Sequence, residues 1–324
     1  MAANLGFRNA FTFQQSINWF PGHMTKGLRK IKETLRNVDL IVELRDSRVP
    51  ISSINYEFEK VIGRMNRLVV YNKVDLIPIE SQKVCLKLGT NVAFSDCRDN
   101  RSIKTLLSSI KEFSTYKLSS NKKIVAMVVG MPNVGKSSII NAARQTGLNK
   151  GKAAKTGSLP GVTRNLSTLI KVFEDPDIYI YDTPGVMMPF IPNPINSLKV
   201  ALTGGIKDDV ADVEIMADYL LYRLNQFGSN IYVEKFGLEK PTDDISFLLN
   251  HLAKRIGALQ SGGIPQLLTA ANFFLTQYRM GKLGKFCLDE IDYDNVLKEI
   301  ELGRNPEIQS KNKLRKESLS KTPK

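Results

Sequence analysis

Residues 124–137 read Ile124-Val125-Ala126-Met127-Val128-Val129-Gly130-Met131-Pro132-Asn133-Val134-Gly135-Lys136-Ser137. The first six are apolar and mostly β-branched, the mark of a short buried strand. The last eight match G-x-x-x-x-G-K-[ST], a phosphate-binding loop that leaves a strand and opens a helix. Glycine lets the backbone of such a loop turn its N–H groups onto phosphate oxygens. Asn133, Val134, Gly135, Lys136, Ser137 and Ser138 are therefore candidate nucleotide-binding residues. Lys136 suits the β- and γ-phosphates, and the hydroxyl of Ser137 suits Mg2+. The helix that follows adds the positive end of its dipole.

The same arrangement, a short apolar run and then a polar motif, recurs along the chain. Asp39–Leu44 precedes Arg45-Asp46, Leu68–Tyr71 precedes Asn72, Val92–Phe94 precedes Ser95, and Ile178–Tyr181 precedes Asp182. Helical patterns separate most of these runs. Such alternation predicts an α/β fold with an open, mostly parallel sheet and ligands at the strands' carboxyl ends. Asp182-Thr183-Pro184-Gly185 then supplies a carboxylate for Mg2+ and, at Gly185, an N–H for a γ-phosphate. Thr163, in Leu159-Pro160-Gly161-Val162-Thr163-Arg164, is a second Mg2+ hydroxyl and a catalytic candidate, of the kind a γ-phosphate orders in switch loops.

Asn72-Lys73-Val74-Asp75 names the base. The Asp75 carboxylate can accept two hydrogen bonds from the N1–H and N2–H2 edge of guanine. Adenine presents an acceptor at N1 and no exocyclic donor beside it, so it leaves that carboxylate unpaired. Asn72 would bond the other edge of the base and the Lys73 stem would cover its face. Ser95, in Ser95-Asp96-Cys97, fits the remaining base loop. GTP and GDP are the expected ligands, and an ATPase or kinase is disfavoured.

The base motifs precede the phosphate loop, whereas most GTPases have them after it. In this the sequence resembles the circularly permuted GTPases of the ribosome-assembly branch, and among them those of eukaryotic mitochondrial ribosome biogenesis. Trp19-Phe20-Pro21-Gly22-His23-Met24, Asp46-Ser47-Arg48-Val49-Pro50, Gly130–Ser138, Asp182–Val186 and Met216-Ala217-Asp218-Tyr219-Leu220-Leu221 carry the likeness, over roughly residues 19 to 300. Ser95-Asp96-Cys97 is a loose version of its loop. The resemblance implies a permuted P-loop G domain over residues 19–192 and a small all-α domain over 193–302. It also implies GTP hydrolysis on a maturing mitochondrial large ribosomal subunit and its rRNA, in the matrix.

Many GTPases carry a water-orienting glutamine directly after D-x-x-G. Here Val186 stands there, followed by Met187 and Met188. A hydrocarbon cannot orient water, so the group must come from elsewhere. The resemblance offers two candidates. A histidine in the family's first motif is proposed to act in hydrolysis, which points to His23. Related GTPases place K+ on a phosphate-loop asparagine, which points to Asn133, and such an ion would neutralise developing charge.

The charge of the chain is +14, from 46 Lys and Arg against 32 Asp and Glu. That excess favours a polyanionic partner, nucleic acid first and an anionic membrane surface second. From Phe113 through Phe173 there is no acid, but there are ten Lys or Arg. No apolar run reaches the roughly 18–20 residues of a membrane span, which leaves peripheral contact with the inner membrane open. Cys85, Cys97 and Cys287 are too scattered for a disulfide framework or a zinc site. Residues 1–18 read as an N-terminal arm or mitochondrial presequence, and residues 303–324 as a basic disordered tail. Met24, Leu28, Ile31, Leu35 and Val38 predict an amphipathic helix with a basic outer face, and Ile191-Pro192-Asn193-Pro194 a hinge before a run of helices. A monomer is expected. The same motifs would also serve a GTPase of tRNA modification or membrane-linked signalling, or a nucleotide-binding scaffold with negligible turnover.

Overall fold

The computed structural model describes residues 6–14, 17, 22–55, 58, 61–63, 65–88, 91–117, 123–154, 169–186, 191, 193–208 and 210–290, without the side chains of 22, 23, 84 and 114–117. A six-stranded sheet is built from β1 (Leu40–Asp46), β2 (Arg67–Asn72), β3 (Val92–Ser95), β4 (Lys123–Gly130), β5 (Ile170–Phe173) and β6 (Asp177–Asp182). The spatial order is β3-β2-β1-β4-β6-β5, parallel throughout except for β5, which pairs antiparallel with β6. β1 and β4 are buried along almost their whole length, as expected for strands covered on both faces.

Helices α1 (Gly22–Thr34), α2 (Ile79–Cys85), α3 (Asn100–Lys117) and α4 (Lys136–Leu148) belong to this α/β part. α1 follows the sequence reading as far as Thr34, and a 3-10 turn at Leu35–Asn37 replaces its expected last turn: Met24 and Ile31 are buried, while Lys26, Arg29, Lys30 and Lys32, and Arg36 in the turn, are exposed. From residue 193 to residue 290 the described elements are helices: α5 (Pro194–Leu202), α6 (Val213–Gln226), α7 (Ile231–Phe236), α8 (Ile245–Arg255) and α9 (Leu267–Arg279). Within the expected hinge, Asn193-Pro194 starts a helix. Asn193 caps it by accepting from the Ile195 N–H at 2.9 Å, and Pro194 takes the first position, where its missing N–H costs nothing. Sheet and helices share one apolar core and belong to one compact unit, Met1–Glu290.

The arm is a docked segment in its described part. Arg8 donates to both Asp218 oxygens, at 2.7 and 3.0 Å, and to both Asp243 oxygens, at 3.0 Å. These hydrogen bonds hold Asp243 below its usual range, against the upward push of burial. Phe11 meets Tyr219 edge-on with ring centroids 5.1 Å apart. A presequence ending at residue 18 would take this anchor with it. The expected tail, 303–324, lies outside the described residues.

Candidate functional site

Strand register places the polar motifs in a row along the carboxyl edge of the sheet. Ser95 pairs with Asn72, Asn72 with Asp46, Leu44 with Gly130, and Val128 with Asp182. The row reads base motifs on one side of β1 and phosphate motifs on the other. Connections run from β1 to β2 one way and return to β4 on the far side, so the site sits where the strand order reverses.

Side chains tie the two halves together. Buried Asn72 donates to the Val134 carbonyl at 2.7 Å and accepts from the Ser95 hydroxyl at 3.0 Å. Gly135 has φ +99°, and any Cβ there would run into the Asn72 amide. That second loop glycine is thus needed both for its backbone and for the closeness of the base motif. Lys73, itself at φ 61°, donates to Asp46 at 2.8 Å and to the Asn133 carbonyl at 2.7 Å. Burial lowers its pKa, with Asp46 opposing. Asp75 pairs with Arg98, whose side chain is 72% exposed.

The phosphate half is equally connected. Lys136 is buried, with its ammonium on the carbonyls of Met131 at 2.7 Å and Gly130 at 3.1 Å. Burial brings its pKa down to about 8, with Asp182 pulling the other way. Ser137 donates to Asp182 at 2.7 Å. Asp182 is pushed up by burial, against the hydrogen bond from Ser137 and the charge of Lys136. A hydroxyl and a carboxylate side by side at the loop fit a hard cation that keeps water and phosphate oxygens as its other ligands. Gly185 lies so close to the phosphate loop that a Cβ would sit 2.7 Å from Pro132 Cα. Its neighbour Val186 is buried and donates its N–H to the Gly130 carbonyl at 3.2 Å. The side chain expected to fail at orienting water is therefore part of the core. α1 covers the same turn: a Cβ on Gly27 would lie 3.1 Å from Pro184 Cγ.

Asn72, Lys73, Asp75, Ser95, Asn133, Val134, Gly135, Lys136, Ser137, Ser138, Asp182 and Gly185 all fall on this edge. His23 lies in the first turn of α1, with its side chain outside the described residues, as is the whole of Thr163. His251, the other histidine, sets its Nε2 2.8 Å from the Phe236 carbonyl, a structural bond. Three features were not anticipated: the Arg98 partner of Asp75, a 2.8 Å hydrogen bond from the Asn133 amide to the Gly204 carbonyl, and the buried Asp46–Arg48 pair, joined at 2.8 Å. Only the last had a signal, since Asp46-Ser47-Arg48-Val49-Pro50 was already noted as a signature.

A family model described as 50S ribosome-binding GTPase matches residues 125–255. The mitochondrial ribosome-associated GTPase 1 of Xenopus tropicalis is 40% identical over 304 residues, 87% of this chain and 98% of its own. The mitochondrial GTPase 1 of Schizosaccharomyces pombe is 34% identical over 314 residues, covering 90% and 94%. Among solved structures, GNP-bound YlqF from T. maritima aligns with a TM-score of 0.57 at 25% identity, over 82% of this chain and 99% of that one.

Proposed function

The chain belongs to the mitochondrial ribosome-associated GTPases, a circularly permuted group of GTP hydrolases, and on that premise we propose that it binds maturing mitochondrial large ribosomal subunits and assists their assembly, with hydrolysis of GTP to GDP as its conformational switch. One observation carries the switch. The D-x-x-G turn lies against the phosphate loop at Gly185 and beneath α1 at Pro184, so a contact to the γ-phosphate bears on a helix with a basic outer face.

Mg2+ would be held by Ser137 and Asp182, with Thr163 joining from the switch loop, and would neutralise charge on the transferred phosphoryl group. Asn133 supports K+ as a further charge-neutralising ion. His23, in the first turn of the helix that covers the D-x-x-G turn at Gly27, is the candidate for the group that acts on water. Large-subunit rRNA is the polyanion that the basic surface suits. The matrix is the compartment, with peripheral attachment to the inner membrane. No described helix is long and apolar enough to cross a membrane.

Hydrolysis measured with and without mitochondrial large subunits, in K+ and in Na+ buffer, tests the reading. Stimulation by subunits, greater in K+ and lost in Lys136→Ala, is expected. Co-sedimentation should favour the form bound to a non-hydrolysable GTP analogue over the GDP form. Equal sedimentation of both forms at fixed salt would remove the switch. Absence of turnover in every condition would favour a scaffold, the reading that buried Val186 would then support.

A further inference from the structure

Asn133 stands at the tip of the phosphate loop with φ 58°, a left-handed conformation that costs energy for a residue with a side chain. Two contacts hold it there. Its carbonyl accepts from Lys73 at 2.7 Å, and its amide donates to the Gly204 carbonyl at 2.8 Å. Both contacts can be followed to the same place. Gly204 closes α5, with its N–H on the Ala201 carbonyl at 2.9 Å. Arg279 donates to the carbonyls of Ala201 and Leu202, each at 3.0 Å, and is itself gripped by both Asp208 oxygens at 2.6 and 2.7 Å. On the other route Lys73 donates to Asp46 at 2.8 Å, and Asp46 accepts from Arg48 at 2.8 and 2.9 Å. The Arg48 guanidinium lies over the ring of Tyr278, 5.3 Å from its centroid. Tyr278 and Arg279 are consecutive residues at the end of α9. Two residues on, Gly281 packs on Leu76, just past the base motif, closely enough that a Cβ would collide.

The circuit is closed and largely buried, and Lys73 and Asn133 are the only members of it that belong to the nucleotide motifs. We propose that the carboxyl end of α9, Tyr278 and Arg279, is a positioning element for both nucleotide loops: Arg279 sets the 201–204 turn that holds the Asn133 amide, and Tyr278, through Arg48 and Asp46, sets Lys73. The inference rests on the GTPase reading and adds to it. The helical region preorganises the nucleotide site, and a partner that moves α9 changes nucleotide affinity without reaching the nucleotide.

Titration of the full chain with a fluorescent GDP analogue tests this, beside thermal melting of each variant. Arg279→Gln and Tyr278→Leu should each weaken GDP binding by about three- to thirtyfold. Tyr278→Phe keeps the ring and loses only a hydroxyl that has no hydrogen-bond partner among the described residues, so it should bind as the parent does. Asn133→Ala combined with Arg279→Gln should lose clearly less than the product of the two single losses, because the first change removes the amide through which the second acts. A merely structural role would lower the melting temperature and leave GDP affinity within twofold. That outcome, or fully multiplicative losses in the double variant, would overturn the proposal. If the parent chain itself failed to bind GDP, the nucleotide site would fall with it, which is a different result from parent and variants binding alike. Should Tyr278→Leu not fold, Arg279→Gln and its double variant decide the matter alone.

Discussion

Lys136 is enclosed by the loop that it serves, with its ammonium on two backbone carbonyls and its pKa brought down to about 8 by burial. Phosphate oxygens would restore the charge, so GDP binding should take up a proton once the pH exceeds about 8. Through this group, affinity is expected to be flat below pH 7 and to fall by up to about tenfold per unit above 8. Calorimetry at pH 9 in two buffers of different ionisation enthalpy reads the uptake directly, and none would mean that the lysine is already charged. Stability moves the other way. The unfolded lysine, near 10.5, holds its proton more tightly than the folded one, so from about 8 to 10.5 this group makes the nucleotide-free protein more stable as pH rises. Arg98 poses a simpler question. It occupies the Asp75 carboxylate that a guanine edge would take, and exposed ion pairs are worth roughly 0–1 kcal/mol. Arg98→Ala should therefore raise GDP affinity, by no more than about fivefold. A loss in the same titration would make Arg98 a part of base binding.

At the scale of elements, what the sequence announces depends on whether the signal is local. Five strands, and the helices α1, α6, α8 and α9, are legible because each has its own apolar period or run. β5 is four residues long and exists by pairing with β6, so no periodicity reveals it. Asn193-Pro194 carries a helix-start signal that reads equally well as a break. Pro265 has the form of a first helical residue, but it pairs with Leu259 in a short bridge and α9 begins two residues later. The site divides in the same way: loop residues are legible from motifs, whereas Gly204, Tyr278 and Arg279 reach the site only through packing. Residues 286–289 have no regular pattern, yet they run along the base side. The Phe286 N–H meets the Leu76 carbonyl at 3.1 Å, and the Leu288 N–H meets that of Arg48 at 2.7 Å. Asp289 anchors the run. Buried, it accepts the N–H groups of Ile51 and Ser52 at 2.8 and 2.9 Å and the Ser52 hydroxyl at 2.5 Å, and it faces the Lys199 ammonium at 3.3 Å. Asp289→Ala would strand those donors and a buried cation, at a cost of about 3–5 kcal/mol. Denaturant unfolding measures it, and a change under 1 kcal/mol would show that water takes over the contacts.

For the molecule as a whole the question is where a charge of +14 is presented. Part of it is engaged in local contacts. The Lys111 ammonium sits 3.6 Å from the centre of the Phe173 ring, Lys123 lies over Tyr179 at 4.8 Å, and Lys171 pairs with Asp177 at 2.8 Å. α1 differs, because its inner face rests on the D-x-x-G turn while Lys26, Lys30 and Lys32 face outward. If rRNA binds there, phosphate contacts lie one helix diameter from the γ-phosphate sensor, and affinity carries a counterion-release signature. Each phosphate contact contributes roughly 0.7–0.9 to the slope of log affinity against log salt. Lys26→Glu with Lys30→Glu should therefore weaken co-sedimentation with large subunits and lower that slope by about one to two. GDP affinity should stay as it was, since neither side chain belongs to the nucleotide loops. An unchanged slope would move the RNA contact off α1. An altered GDP affinity would show instead that the basic face supports the turn beneath it, and that RNA and nucleotide compete for one element.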